Sequence, residues 1–210
     1  PVYANTSDRL FEIDPLTGET ITIGDFRDAE GKIDNFIDIA IDLNGVLLGG
    51  TFDAIYSIDP TTAEVTHLCD TDAELTAMTF TSTGSLVVGG PDSLDFVDLE
   101  RDCSTEPLID SPIYQTSGDL VGLPDGFLYW TVLGEYDDSL VRIDPSTGLF
   151  APVGSIGFEQ LYGLGYDDGE LFGFSARGEV VVISPDTARS SLRNHGSLSW
   201  WGATTNPVVW

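Results

Sequence analysis

Short runs of apolar residues alternate with polar turn residues along the whole chain. The runs are rich in Val, Ile, Leu, Phe and Tyr, and Gly, Pro, Asp, Asn and Thr separate them. This is the pattern of short β-strands joined by tight turns. An apolar periodicity of 3.6 residues, the signature of an amphipathic helix, is not sustained over any useful window. The pattern therefore predicts an all-β protein.

The pattern itself repeats at intervals of about 42 residues. The motif L-Y-x-I-D-P-x-T-G, in full or degenerate form, occupies residues 10–18, 55–63, 94–99, 140–148 and 180–188. A second motif, in which a glycine-containing turn joins two apolar runs, occupies residues 36–49, 75–89, 117–129 and 161–173. The tail 200–210 resembles a fifth copy of it, with Asn206 and Pro207 at the turn. Five copies indicate five structural units.

Each unit contains four predicted strands. In the first complete unit we predict strand A over residues 36–41, B over 46–50, C over 55–58 and D over 64–69. Such units predict a five-bladed β-propeller with four antiparallel strands per blade. The N-terminal segment resembles a B strand and the tail resembles an A strand. We therefore expect both ends of the chain to share one blade and close the ring of a single domain, 1–210.

The Asp-Pro corners between strands C and D have a local explanation. Pro presets φ for the second position of a turn, Gly accepts a positive φ, and Asp accepts hydrogen bonds from backbone N–H groups across the corner. We interpret Asp14, Asp59 and Asp144 as turn formers rather than catalytic groups.

The repeat G-x-L-Y/F-G followed by L-Y-x-I-D-P-x-T-G resembles the bacterial propeller repeats related to the NHL and PQQ-like families. The resemblance covers nearly the whole chain. It implies a propeller that serves as a binding platform or scaffold, and in some relatives as an enzyme. The tryptophan-docking signature of PQQ repeats is absent from the sequence, so a quinone cofactor is not expected. Tachylectin-like lectins and five-bladed glycosidases share only the blade count.

The charge balance restricts the partners. With 8 Lys plus Arg against 35 Asp plus Glu, the net charge is −27, which disfavours nucleic acid and anionic membranes. Carbohydrate, another small neutral or cationic ligand, or a protein partner fits better. No apolar run is long enough for a transmembrane segment. The chain begins at Pro1 without a visible signal peptide, as in a processed secreted protein or a trimmed one, and we expect an extracytoplasmic monomer (secreted, periplasmic or surface-attached).

Strand A lines the central channel of a propeller, which places two carboxylates near the axis. Aligning the A strands puts Asp38, Ala77, Asp119, Gly163 and Gly202 at one level. Asp38 and Asp119 are therefore candidate ligands for a small molecule or for a hard cation such as calcium, which needs further oxygen ligands. No cofactor is firmly indicated. The alternative is that both carboxylates cap backbone N–H groups of neighbouring A strands.

Aromatic residues supply the other candidates for ligand binding. Tyr162, Trp200 and Trp201 fall on or near A strands, and Tyr136 lies in the long B–C loop 132–138 together with Glu135 and Asp137. Aromatic rings beside carboxylates suit a sugar. The alternative is that these rings pack between blades.

Catalytic motifs are scarce. P-loop, HExxH and GxSxG patterns are missing, and neither His67 nor His195 is accompanied by a nucleophile motif. We therefore assign no catalytic residues and favour a non-catalytic binding module with its ligand at the mouth of the channel. Two alternatives are a small glycoside-active enzyme that uses Asp38 and Asp119, and a structural domain stabilised by a cation.

The two cysteines are predicted to be apart. Cys69 ends a D strand, whereas Cys103 lies at a C–D turn, and these positions belong to opposite faces of the ring. Since a disulfide requires Cα atoms within about 7 Å, the sequence predicts no intramolecular disulfide.

Overall fold

Five antiparallel four-stranded sheets form the protein. The computed structural model describes residues 2–72, 74–91, 93–110 and 113–205, and we name the sheets blades I to V, with strands A to D from the channel outward. Blade I contains β4 (Asp38–Ile41), β5 (Leu47–Gly50), β6 (Ala54–Ile58) and β7 (Val65–Asp70). Blade II contains β8 (Ala77–Phe80), β9 (Leu86–Gly89), β10 (Ser93–Asp98) and β11 (Ser104–Asp110), with a 3₁₀ helix at Leu99–Arg101.

The remaining blades follow the same order, except that the last one combines both ends of the chain. Blade III contains β12 (Thr116–Gly122), β13 (Leu128–Leu133), β14 (Asp138–Ile143) and β15 (Phe150–Ser155). Blade IV contains β16 (Leu161–Asp167), β17 (Glu170–Ser175), β18 (Glu179–Ile183) and β19 (Ser190–His195). Blade V contains β20 (Gly202–Thr205), β1 (Val2–Asn5), β2 (Arg9–Ile13) and β3 (Thr20–Asp25).

The ring closes through blade V, as the sequence predicts. Strand β1 pairs with β20 on one side and with β2 on the other, so that Ala4 lies opposite both Ala203 and Phe11. The A strands β4, β8, β12, β16 and β20 contact one another in sequence around the axis. The prediction of an all-β, five-bladed propeller is confirmed. The predicted turn at Asn206 and Pro207 lies outside the described residues.

The hydrophobic core is divided among the five seams between neighbouring blades. Strands A and B are buried along their length in blades I and II, whereas the D strands β3 and β19 are half-buried to exposed. The seam between blades I and II, for example, buries Ala40, Leu48, Ile55, Met78 and Leu86. Each blade is thus covered on both faces, and removing one blade would expose two seams.

The Asp-Pro corners are hydrogen-bonded turns. The Asp14 carboxylate accepts the N–H of Leu16 at 2.8 Å, and Asp144 accepts the N–H of Ser146 at 2.9 Å. The hydrogen bond from Leu16 is the main reason that the pKa of Asp14 lies below its ordinary value. These aspartates occupy the turn positions that the sequence predicts.

One contact recurs at all five seams near the outer rim. In every blade the C–D strand pair contains a β-bulge at the same place, which leaves the end of strand D against the C–D turn of the next blade. The turn residue has positive φ each time, and these residues are Gly18, Ala63, Cys103, Gly148 and Ala188. Gly24 packs beside Ala63, and Gly154 packs beside Ala188. The seam between blades I and II uses cysteines at these positions.

Cys69 and Cys103 form a disulfide, with their Cα atoms 6.0 Å apart. The prediction of no intramolecular disulfide is therefore wrong. It placed the two positions on opposite faces of the ring, but a sheet twists from its inner to its outer strand, which brings the end of strand D toward the neighbouring blade. The end of the D strand in blade I consequently reaches the C–D turn of blade II. Cys103 occupies the turn position that Ala63 and Ala188 occupy in other blades.

Candidate functional site

The channel axis contains the two aspartates that the alignment placed there. Asp38 and Asp119 are completely buried. Glycine faces them from blade V, where a Cβ on Gly202 would lie 2.6 Å from the side-chain oxygen of Asn5 and 2.7 Å from the Cα of Asp38. Such distances leave no room for a side chain at position 202. Glycine is therefore required there, because the strands approach one another closely at the axis.

Both carboxylates are held by backbone N–H groups. Asp38 accepts the N–H of Ile39 at 2.8 Å through Oδ1 and that of Met78, in the next blade, at 2.7 Å through Oδ2. Asp119 repeats the arrangement with the N–H groups of Leu120 and Leu164. Each aspartate therefore caps its own A strand and joins it to the next. Of the two interpretations of these residues, the geometry supports capping.

The pKa values of both carboxyl groups are raised. Burial raises the pKa of Asp38 well above its ordinary value, and the charge of Asp119 adds to the rise. Burial likewise raises the pKa of Asp119 to about 7, although its hydrogen bonds to Asp38 and to backbone N–H groups oppose the shift. Two completely buried, hydrogen-bonded carboxyl groups favour a state in which one proton is held between them near neutral pH.

This geometry does not suit the calcium or the glycosidase hypothesis. The oxygens of both carboxylates face N–H donors, whereas a cation site directs oxygens at the ion. Glycosidases separate their carboxyl groups by about 5–10 Å and expose them to substrate, but this pair is in hydrogen-bond contact and has no exposed surface. Within the described part of the chain, no group of three or more His, Cys, Asp or Glu side chains is placed to hold a metal ion.

The candidate tryptophans divide between packing and partial exposure. Trp200 is buried at the seam between blades IV and V, with its ring edge-to-face against Phe11 at 5.5 Å and near Phe174 at 6.1 Å between centroids. Trp201 is half-buried, and its backbone N–H donates to the carbonyl of Asn5 at 2.9 Å. Trp200 thus serves as a packing residue.

Tyr162 lines a pocket on the face formed by the B–C and D–A loops, which we call the upper face. The pocket has a volume of about 300 Å³ and lies between the long B–C loop of blade III and the first A-strand residues of blade IV. Its lining consists of Ser117, Leu133, Gly134, Glu135, Tyr136, Asp137, Asp138, Glu159, Gln160 and Tyr162. The sequence identified the loop and both tyrosines, but it gave no signal for Glu159 and Gln160, which a separate loop contributes.

The carboxylates of this pocket differ in their surroundings. Asp138 is buried and accepts the N–H of Leu161 at 2.7 Å, and burial raises its pKa. Asp137 accepts the hydroxyl of Ser155 at 2.7 Å, and Glu159 pairs with Arg177 at 2.6 Å. Negative charge therefore dominates the pocket, which favours a neutral or cationic ligand over an anion.

Two larger depressions lie on the opposite face, among the A–B and C–D turns. One, of about 590 Å³, is lined by Phe80, Phe96, Leu99 and Arg101 of blade II. The other, of about 480 Å³, is lined by carboxylates of blades IV and V and by Leu16 and Ile21. Both are formed by short turns that every blade possesses. The upper-face pocket is distinguished by two tyrosines that converge with carboxylates.

Comparison with known proteins establishes the fold. No protein-family model matches the sequence, and no curated protein matches it. A solved structure of a symmetrical protein, described in connection with its de novo evolutionary emergence, is 18% identical. Its TM-score is 0.61 over 99% of this chain and 94% of that one. An extracellular domain of a one-component system from B. thetaiotaomicron is 15% identical, with a TM-score of 0.54 over 95% of this chain. A protein of unknown function from Bacteroides caccae is 14% identical, with a TM-score of 0.51 over 90% of this chain and 70% of that one.

These likenesses concern architecture. Identities this low show a shared β-propeller fold and leave function to the site. The chain spans 28% of the length of the solved extracellular domain from B. thetaiotaomicron. In the described residues, no helix is long and apolar enough to cross a membrane.

Proposed function

We propose that this chain is a non-catalytic binding module whose ligand occupies the upper-face pocket between blades III and IV. The observation that supports the proposal most is the convergence of Tyr136 and Tyr162 with Glu135 and Asp137 around a concave volume of about 300 Å³. A binding site of this kind combines flat apolar surfaces with a few polar groups that fix orientation.

The chemistry of the lining suggests the ligand class. Tyrosine rings stack on the apolar faces of sugars and attract cations through their π-systems. The carboxylates accept hydrogen bonds from hydroxyl or ammonium groups. We propose a carbohydrate or a cationic group, either free or displayed on a protein partner.

An extracytoplasmic location forms part of the proposal. Disulfides persist in oxidising compartments and are rare in the cytosol, and Cys69 and Cys103 are joined. One protein of the same fold is an extracellular domain. We further propose that residues 1–210 act as one monomeric domain. A relationship to NHL and PQQ-like repeats is supported by the repeat motif.

Screening the purified chain for ligands tests the proposed site. A glycan array and a panel of amines identify a ligand, and calorimetry then compares Y136A and Y162A with the parent protein. We expect at least a tenfold loss of affinity in both variants, since each removes one aromatic wall.

Phe52 provides a matched control. It lies on the B–C loop of blade I, on the same face, and is 45% exposed. F52A should bind like the parent protein. Equal affinity of Y136A, Y162A and F52A would place the ligand elsewhere and refute the proposed site.

A further inference from the structure

Five backbone N–H groups, one from each blade, converge on the channel axis. They belong to Ile39, Met78, Leu120, Leu164 and Ala203, each of which directly follows the axial position of its A strand. Strand A is the innermost strand of its sheet, so these N–H groups have no further strand to pair with. Buried donors of this kind require an acceptor.

The chain supplies the acceptors from only two of the five blades. Asp38 serves the donors of blades I and II, and Asp119 serves those of blades III and IV and interacts with the N–H of Ala203 in blade V. The axial residues of the other three blades are Ala77, Gly163 and Gly202, whose side chains have no acceptor atoms. Convergent N–H dipoles form an anion site without any basic side chain.

The Asp119 side of the axis is the better anion position. Near Asp38, the side-chain oxygen of Asn5 also faces inward and has no hydrogen-bond partner among the described residues. An anion there would meet a second oxygen. Around Asp119 the neighbouring groups are backbone N–H donors and the carboxyl group of Asp38, with which it forms a hydrogen bond.

We propose that the ring of N–H donors at the channel axis is a binding site for small carboxylate anions. In the parent protein the carboxylates of Asp38 and Asp119 occupy this site. When Asp119 is shortened, a free carboxylate binds in its place. Formate has the same three heavy atoms as the group that Asp119→Ala removes. Acetate has the same four as the group that Asp119→Gly removes. The two anions should therefore select different variants.

Thermal melting in sodium formate, sodium acetate and sodium chloride at equal ionic strength tests this proposal. Relative to chloride, formate should raise the Tm of D119A by several degrees and acetate should raise that of D119G, whereas the parent protein should respond to neither. Titration of ¹³C-formate followed by NMR should show saturable binding to D119A and none to the parent protein.

Two controls separate the ring from a general effect of the salt. Asp144 also accepts backbone N–H groups, but in an exposed turn, so D144A should show no formate response. D119N keeps the volume of the side chain and leaves no room for formate. Equal formate responses in D119A and D119N, or none in D119A and D119G, would overturn the proposal. If either variant does not fold in chloride, refolding from urea decides, because only the matching carboxylate should restore it.

Discussion

At the scale of single residues, the axial aspartates contribute to how the stability of the protein depends on pH. A carboxyl group whose pKa is raised on folding stabilises the folded state while protonated, and this contribution is lost as the pH rises through the raised value. The groups at this level of the five A strands are Asp38, Ala77, Asp119, Gly163 and Gly202, together with Asn5. None of these side chains is basic, so only backbone N–H dipoles oppose the cost of a second buried negative charge.

We therefore expect the free energy of unfolding to fall between pH 4 and pH 7, and to continue falling while Asp38 releases its proton. One proton corresponds to at most about 1.4 kcal/mol per pH unit. In D38N, which removes one of the two titrating groups, the slope should be shallower. Urea unfolding at pH 5, 6, 7 and 8 measures both slopes, and identical slopes would contradict the shared proton.

A second residue-scale prediction concerns Gly202. The added methyl group of Gly202→Ala would collide with Asp38 and Asn5, and overpacking of this kind costs about 1–3 kcal/mol. Gly196 is the control, because the nearest atom to a Cβ there lies at 3.9 Å. Urea unfolding should show a loss in G202A and little change in G196A, and equal stabilities would refute the close packing at the axis.

At the scale of elements, the rim contact between strand D and the next C–D turn decides how neighbouring blades are joined. The Cys69–Cys103 bond closes a loop with a sequence separation of 34, for which chain entropy predicts about 4 kcal/mol. The double variant C69S/C103S should be less stable by an amount of this order in urea unfolding. Reduction of the parent protein should lower its stability similarly, and no loss in either experiment would argue against the bond.

The strands were predictable because the repeat supplies each boundary several times. The predicted strand B over residues 46–50 became Leu47–Gly50, and the predicted strand D over 64–69 became Val65–Asp70. The disulfide was missed because the sequence pattern gives the order of the strands but not their relative orientation. Alignment of the A strands found Asp38 and Asp119. Their raised pKa values result mainly from burial, which the alignment does not give. Glu159 also lines the upper-face pocket. It is brought near Tyr136 by the fold, and the repeat pattern did not indicate this.

At the scale of the whole molecule, closure of the ring depends on β1. This strand is the only link between β20 and β2 in the described sheet, and Val2 and Ala4 are completely buried. A4D should therefore abolish cooperative unfolding or lower the Tm by more than ten degrees, since a buried unpaired charge is very unfavourable. Thr22 in β3 of the same blade is exposed, and T22D should melt like the parent protein. A normal melt for A4D would mean that the ring is not held by this strand.

Removal of bound metal provides a test at the same scale. Because the axial carboxylate oxygens face N–H donors, incubation with a chelator should leave the Tm unchanged. A decrease in Tm that calcium reverses would favour the cation-stabilised alternative.

The β-bulges of the five outer strands bear on solubility at high concentration. Each outer strand is a sheet edge, and three of them expose large apolar side chains, namely Ile21, Leu68 and Leu192. A straight edge of this composition would be a template for a strand from another molecule. The register shift in every C–D pair interrupts that template five times per molecule. The irregular edges should thus oppose fibril growth, and straightening one of them should promote it.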